Sequence, residues 1–395
     1  MKWSWPSLKR ISPSTQYLSE VDGLRFLAIF PVVYLHLGTF YMRNTTTDWA
    51  LPLDSDPLYR ARAYCSLGVP LFYCLSGFIL ALPFGKEALG QRSRISVRGF
   101  YARRLTRLEP PYLLCLTVFL LAHIFVRGQT FSEVFPHYLA SFFYLHNVIY
   151  GEWSTILPVA WTLEIEVQFY LLVPFVVRAY FSRGLIRRRM ILLFFVLVFS
   201  LLEAYGREFL ATYHLSRTLL TQGHYFAVGI LASDLFVMDR DLFRRKSRVW
   251  DGLFILGLVC SRLCPFLGIR SVFDQLLFTS SLLLIFLAAF KGPVTNRLFR
   301  MPWVYLTGGM CYTIYLLHYP YFHLLGTYLG VVQPSGVFAI DFLLNLLLAL
   351  PLLALVVVPY YLLLERPCMD KRWPGKLMAA LGLRPRVASS ADQVD

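Results

Sequence analysis

Two ionisable side chains lie inside strongly apolar runs, where their presence is costly and usually tied to a cavity or a partner. His36 sits in FPVVYLHLG and Glu166 in WTLEIEVQFYLL. A neutral imidazole oriented by a carboxylate is the arrangement a general base needs. His36 lies 12 residues past Leu24, about 18 Å up a helix from its inner end. Glu166 lies 8 residues past Pro158, about 12 Å down an oppositely directed helix from its outer end. The two therefore reach a similar depth, and Glu166 is expected to steady His36. Both also have a structural reading, with His36 bonded to a backbone carbonyl and Glu166 in a structural pair.

A second chemistry is suggested by FYARRLTRLEPPY, where Arg103, Arg104 and Arg107 precede an apolar stretch. Positions 103 and 107 share a helical face, as do 104 and 107. Guanidinium groups at that spacing suit a polyphosphate, whose oxygens they bind bidentately. Arginines at a cytoplasmic helix end are equally ordinary topology anchors. Asp22 and Arg25 are three apart and able to pair at the start of the first helix. Glu164 points to a different helical face from Glu166, towards Trp161 and Gln168, so the two carboxylates do not form one site. His318 in YLLHYP reads best as a buried packing or hydrogen-bonding histidine. Asp234 and Glu203, near the ends of apolar runs, are expected at the membrane interface. The seven cysteines show no disulfide or zinc spacing; Cys260 and Cys264 are one turn apart without a companion histidine, so no metal is expected.

The elements that must hold these residues are membrane helices. Hydrophobic residues make up 57% of the 395 positions and charged residues 15%, against roughly a quarter charged in soluble domains. The apolar excess is gathered into runs long enough to cross about 30 Å of hydrocarbon. Ten spans are predicted near 24–42, 66–84, 108–126, 158–177, 190–205, 218–238, 249–267, 273–290, 303–325 and 337–364. With both termini in the cytoplasm, 30 of the 38 lysines and arginines fall on the inner side, as the positive-inside bias requires. The formal charge of +15 is thereby explained without nucleic acid, for which no motif is present. Residues 134–150, apolar and aromatic, are expected to be interfacial or re-entrant on the outer side, because a further crossing would put the basic 178–189 segment outside. Residues 1–23 lack the apolar core of a cleavable signal, so they are expected to be a cytoplasmic segment ahead of a signal anchor. The transmembrane domain is expected over 24–367. Residues 368–395 form a cytoplasmic tail, disordered from about Arg384. The fold class expected is an all-α integral membrane protein.

Taken in order, these stretches resemble the acyltransferase-3 family of membrane O-acyltransferases. The resemblance is carried by VDGLRFLAIFPVVYLHLG (21–38), LGVPLFYCLSGFIL (67–80), FYARRLTRLEPPY (100–112), VAWTLEIEVQFYLLVP (159–174), FAVGILAS (226–233), CYTIYLLHYP (311–320) and LLLERP (362–367). It implies about ten transmembrane helices in the cytoplasmic membrane. It also implies transfer of an acyl group, usually acetyl, from cytosolic acyl-CoA to a hydroxyl of a cell-envelope glycan or glycolipid. By motif position His36 and Glu166 are the implied catalytic residues and Arg103, Arg104 and Arg107 the implied acyl-CoA site. Asp22, Arg25, Trp161, Tyr170 and His318 are the supporting residues. Glu164 falls where the family usually has a small or polar residue, and Cys311 where serine is common. No soluble esterase-like block is present, so handling of the acceptor is expected to fall to the membrane part or a partner. The rival reading is a transporter or flippase for a lipid-linked sugar, with His36 and Glu166 lining its path. The arginine cluster and the lack of an inverted repeat count against it.

Overall fold

The computed structural model describes residues 8–11, 17–45, 52–239, 243, 245–267, 271–328, 330–332, 334–370 and 372–380. Most of the N-terminal segment and the tail beyond residue 380 lie outside these, including the stretch from Arg384. Among the described residues there is no strand. The helices used below are α1 (Ser19–Asn44), α2 (Gly68–Ala88), α3 (Val97–Phe125), α4 (Phe131–Phe142), α5 (His146–Tyr150), α6 (Trp161–Phe181), α7 (Leu185–Tyr205), α8 (Leu219–Met238), α9 (Val249–Leu267), α10 (Val272–Lys291), α11 (Pro302–Gly309), α12 (Cys311–Tyr328), α13 (Phe338–Tyr360) and α14 (Trp373–Ala380).

Each of the ten predicted spans overlaps a described helix of at least 18 residues. Among the described residues, six helical stretches are long and apolar enough to cross a membrane on length and composition alone: Ser19–Asn44, Pro57–Ala88, Val97–Phe125, Pro158–Phe181, Val272–Lys291 and Phe338–Cys368. α7, which is not among the six, starts with three arginines, Arg187, Arg188 and Arg189. Rows of exposed apolar side chains run along several helices, including Leu171, Leu172, Phe175 and Val176 on α6 and Leu343, Leu344, Leu347 and Leu348 on α13. Apolar surface that continuous has hydrocarbon as its natural solvent, and the chain is a helical membrane protein.

The segment expected to be interfacial folds as α4 and α5, of 12 and 5 residues. At 1.5 Å per residue neither reaches across the bilayer. The break follows from Tyr144, whose backbone is left-handed at φ 57°, a conformation that ends a helix. α4 begins with a reciprocal cap: Thr130 and Glu133 satisfy each other's backbone N–H groups, the usual solution for the free donors of a helix start.

Two apolar cores hold the bundle. One gathers α2, α6, α8 and α10 around Phe78, Phe226 and Phe286. The other gathers α1, α3, α12 and α13 around Tyr41, Tyr112 and Phe342. Val69 and Phe72 of α2 pack against both. α2 and α8 touch backbone to backbone, since a Cβ on Gly77 would fall 2.2 Å from Phe226 O and one on Gly229 would fall 2.0 Å from Cys74 O. Close approach through glycine is how membrane helices gain packing where no hydrophobic drive exists between them.

Asp234 and Glu203 both find arginine partners. Asp234 is fully buried and paired with Arg188 and, at 2.8 Å, Arg189. α7 and α8 pack so that these arginines reach inward to it, as long side chains with apolar stems can. Glu203 is largely buried and pairs with Arg207 one turn on, at 2.8 Å.

Candidate active site

The site begins at the inner end of α3, which Ser96 starts by accepting the N–H of Gly99 at 3.2 Å. Arg103, Arg104 and Arg107 follow within two turns. All three line a cavity of about 260 Å³ with Arg92, with Arg10 of the N-terminal segment and with Arg25 of α1. The predicted Asp22–Arg25 pair forms. Asp22 is buried, takes Arg10 at 3.4 Å and accepts Tyr17 Oη at 2.8 Å. One carboxylate therefore holds two arginines in position. α11 packs directly over it, because a Cβ on Gly308 would lie 1.8 Å from Asp22 O. Asp370 also lines this cavity. Its hydrogen bond from Lys376 Nζ, 2.8 Å, holds its carboxyl below the ordinary range. Six guanidinium groups against two carboxylates make a strongly anion-attracting wall.

Arg25, Arg104 and Arg107 also line a deeper chamber of about 120 Å³ between the two cores. Ser76, Thr162, Glu166, Tyr170, Tyr315 and Glu365 share its wall. The guanidinium of Arg104 stands 5.8 Å from the Tyr170 ring and 5.4 Å from the Phe100 ring, so aromatic faces hold it in place. Arg103 lines the inner cavity alone. The two spaces share Arg10, Arg25, Ile79, Arg104 and Arg107 and so adjoin, with arginines along their walls from the start of α3 to Glu166.

Glu166 does not meet His36. Its hydrogen bond comes from Ser76 Oγ of α2. His36 instead lies against His318, with His36 Nδ1 and His318 Nε2 2.7 Å apart and rings 4.9 Å between centroids. The expectation failed for a geometric reason. Rise per residue fixes height along a helix but leaves open which neighbour each face meets. The structure sets His36 towards α12 and Glu166 towards α2. His318, read from sequence as a packing or hydrogen-bonding histidine, is completely buried and is the residue in contact with His36.

The bonds of the pair assign its protons. His318 Nδ1 faces Ile314 O at 2.9 Å, so Nδ1 donates there and His318 Nε2 is an acceptor. His36 Nδ1 must then be the donor between the rings, which leaves the lone pair of its Nε2 for a substrate proton. Tyr319 packs edge-on to His36 at 5.2 Å. Between the histidines and the chamber stands Tyr315, 5.9 Å from the His318 ring and bonded to Thr162 Oγ1 at 2.5 Å and to Val159 O.

Trp161 is the first residue of α6, packs against the first core and does not line the chamber. Glu164 accepts Asn147 N at 2.8 Å and so ties α5 to α6, a structural role. Sequence reasoning missed Ser76, Tyr315, Arg10 and Glu365. Ser76 and Tyr315 lie inside stretches that carried the family resemblance, as polar groups within apolar runs. Glu365 sits one residue beyond the predicted end of the last span. It closes a π-helical turn, Tyr361–Glu365, and binds Thr313 N and Oγ1 at 3.1 and 2.6 Å; such turns recur at functional sites.

The model of the acyltransferase-3 family, described as an acyltransferase domain, matches residues 18–365. O-acetyltransferase OatA of Staphylococcus aureus (strain NCTC 8325 / PS 47) is 25% identical over 360 residues, covering 85% of this chain and 56% of the relative. Peptidoglycan O-acetyltransferase OatA of Listeria monocytogenes serovar 1/2a is 25% identical over 354 residues, covering 82% of this chain and 52% of the relative. A putative O-acetyltransferase of S. aureus (strain COL) is 23% identical over 363 residues, covering 85% and 56%. The chain spans about half the length of the curated relatives it matches. No solved structure matches it. With its family-matched span reaching from Leu18 to Glu365, and so including both histidines, Glu166 and the arginines of α3, the chain belongs to the acyltransferase-3 family.

Proposed function

We propose that the protein is a membrane O-acyltransferase that takes an acyl group, acetyl by analogy with the names of its relatives, from cytosolic acyl-CoA. The acceptor is a hydroxyl of a cell-envelope glycan or glycolipid. The protein works in the cytoplasmic membrane with ten spans and both termini inside. The observation that carries this reading is the run of arginines lining the two adjoining cavities from the start of α3 to Glu166. Guanidinium groups at the inner end suit the phosphates of CoA, and the narrower chamber suits the arm that bears the thioester.

In this reading the acceptor oxygen attacks the thioester carbonyl. The C–O bond forms as the C–S bond breaks, and CoA leaves as a thiolate. His36 Nε2 takes the hydroxyl proton and returns it to the thiolate. His318 holds His36 in the tautomer that leaves Nε2 free, and the positive charge that develops on His36 is shared across the ring pair. Transfer of the acyl group first to His36 is the two-step variant. Glu166 acts at the chamber wall: its bond from Ser76 and its proximity to Tyr170 and Arg104 fix the shape of the space around the thioester.

The test is release of CoA from acetyl-CoA by purified protein in nanodiscs, with and without a hydroxyl acceptor, beside acetyl-CoA binding on the same preparation. His36→Ala is expected to lose about 10²–10⁴ in rate with binding intact. Wild-type turnover by that variant would remove His36 from the chemistry. Sugar translocation without any CoA release would favour a transporter.

A further inference from the structure

A third cavity, a side branch of about 170 Å³, opens sideways between α3 and α6. It shares Arg104, Leu108, Leu163, Glu166, Tyr170 and Tyr312 with the chamber, so the two adjoin along that wall. Its remaining wall is largely apolar, with Val167 at mid-length. Its rim carries Leu105 and Leu171, 56% and 58% exposed. These leucines continue the exposed apolar rows of α3 and α6, which face hydrocarbon. Near the rim Tyr101 Oη of α3 donates to Leu171 O at 2.7 Å and bridges the two helices.

The polar groups of this branch lie at its inner end. Arg104 and Glu166 are shared with the chamber, and Tyr144 Oη donates to Glu109 Oε1 at 3.1 Å. Tyr144 holds a left-handed backbone, φ 57°, that aromatic residues rarely adopt, and its ring stacks on Tyr112 at 4.8 Å. An apolar slot that starts in the bilayer and ends at a cation and carboxylates matches an amphiphile: a hydrocarbon chain outside and a polar head within.

We propose that this branch is a lipid-chain subsite, through which the hydroxyl acceptor reaches the chamber as the head of a membrane-anchored lipid. The inference rests on the acyl-transfer reading of the chamber. The chain lies along Leu105, Val167 and Leu171, the head enters the chamber past Arg104 and Glu166, and it meets the thioester on the Tyr315 side, nearest the histidine pair. In the transfer, the acceptor O–H loses its proton to the enzyme base, its oxygen gains the acyl carbon, and CoA departs as the thiol. Donor and acceptor thus enter by different doors, one from the cytosol and one from the bilayer.

The probe is phosphatidylglycerol bearing a photoreactive diazirine on one chain, in phosphatidylcholine nanodiscs with the full chain. Illumination should label peptides spanning 101–109 and 163–171 above the other lipid-facing helices. Val167→Trp fills the slot and Leu105→Trp covers its rim. Both should lose that labelling while labels on α7 and α13 and acetyl-CoA binding stay at wild-type levels. The rim variant sits at an exposed position and guards against a folding failure of the other. Equal labelling of all lipid-facing helices in wild type and variants would mean ordinary surface lipid and would overturn the proposal. So would displacement of the label by octanoyl-CoA but not acetyl-CoA, because the slot would then hold the donor's own chain. Labelling needs no turnover, so its failure beside His36-dependent CoA release would remove only the lipid subsite.

Discussion

His318 matters for what it fixes on His36. An imidazole alone has two tautomers, and only one leaves Nε2 able to accept a proton in the orientation seen here. The Ile314 carbonyl sets the proton on His318, and His318 sets the proton on His36. His318→Ala should therefore lower kcat by about 10–100-fold, the range typical when an outer partner of a functional histidine is lost. The KM for acetyl-CoA should hold, because His318 does not line either arginine cavity. A residue that merely packs would leave the rate–pH profile in place. A positioning residue shifts its acid limb, and an unmoved limb with a lowered Tm would make His318 structural. At this scale the sequence was informative about types and depth and silent about partners. His36 and Glu166 stood out because charge and imidazole are expensive in apolar runs, and the three arginines because their spacing suits a polyphosphate. Whether Glu166 would face His36 or Ser76 depended on helix rotation, which tertiary packing decides and spacing along one helix does not.

At the scale of elements, hydropathy and basic loops placed each predicted span on a long helix of the described residues, though helix starts differ by up to 11 residues, because a bilayer crossing imposes a minimum length and excludes charge. α3 is the informative departure. Its span was expected from position 108, yet the helix begins at Val97. Those added turns are what carry Arg103, Arg104 and Arg107 on a rigid rod rather than a loop. The break at Tyr144 was not legible, since nothing local forces a left-handed tyrosine. The topology has a direct check: a reporter fused after Arg189 should read cytoplasmic and one near Gly151 external. The lengths of α4 and α5, too short to cross, are what this prediction rests on. An external signal at Arg189 would require residues 134–150 to cross, and α6 would then run the other way.

Across the whole molecule, the chamber lies where two cores face each other and, among the described residues, Val69 and Phe72 pack against both. Asp22 and Arg25 come from α1, Ser76 from α2, Arg104 and Arg107 from α3, and Glu166 from α6. A ligand that spans this seam contacts both halves and stabilises only the assembled state. At a hundredfold excess over its Kd, such a ligand adds about 2.7 kcal/mol. Acetyl-CoA should therefore raise the apparent Tm of wild type in nanodiscs, measured at a fixed scan rate because membrane proteins seldom unfold reversibly. Arg104→Ala and Arg107→Ala should abolish the shift. Their own Tm without ligand should change little, since neither guanidinium has a carboxylate ion-pair partner among the described residues. Asp22→Ala differs in kind. It frees Arg25 and Arg10 inside the fold, and removing one partner of a buried ion pair costs about 3–5 kcal/mol, so that variant should melt lower with or without acetyl-CoA. If Arg104→Ala and Arg107→Ala kept the full ligand shift, the cluster would be a topology anchor and the donor would bind elsewhere. If instead they lost stability as Asp22→Ala does, the arginines would belong to the scaffold rather than to the site.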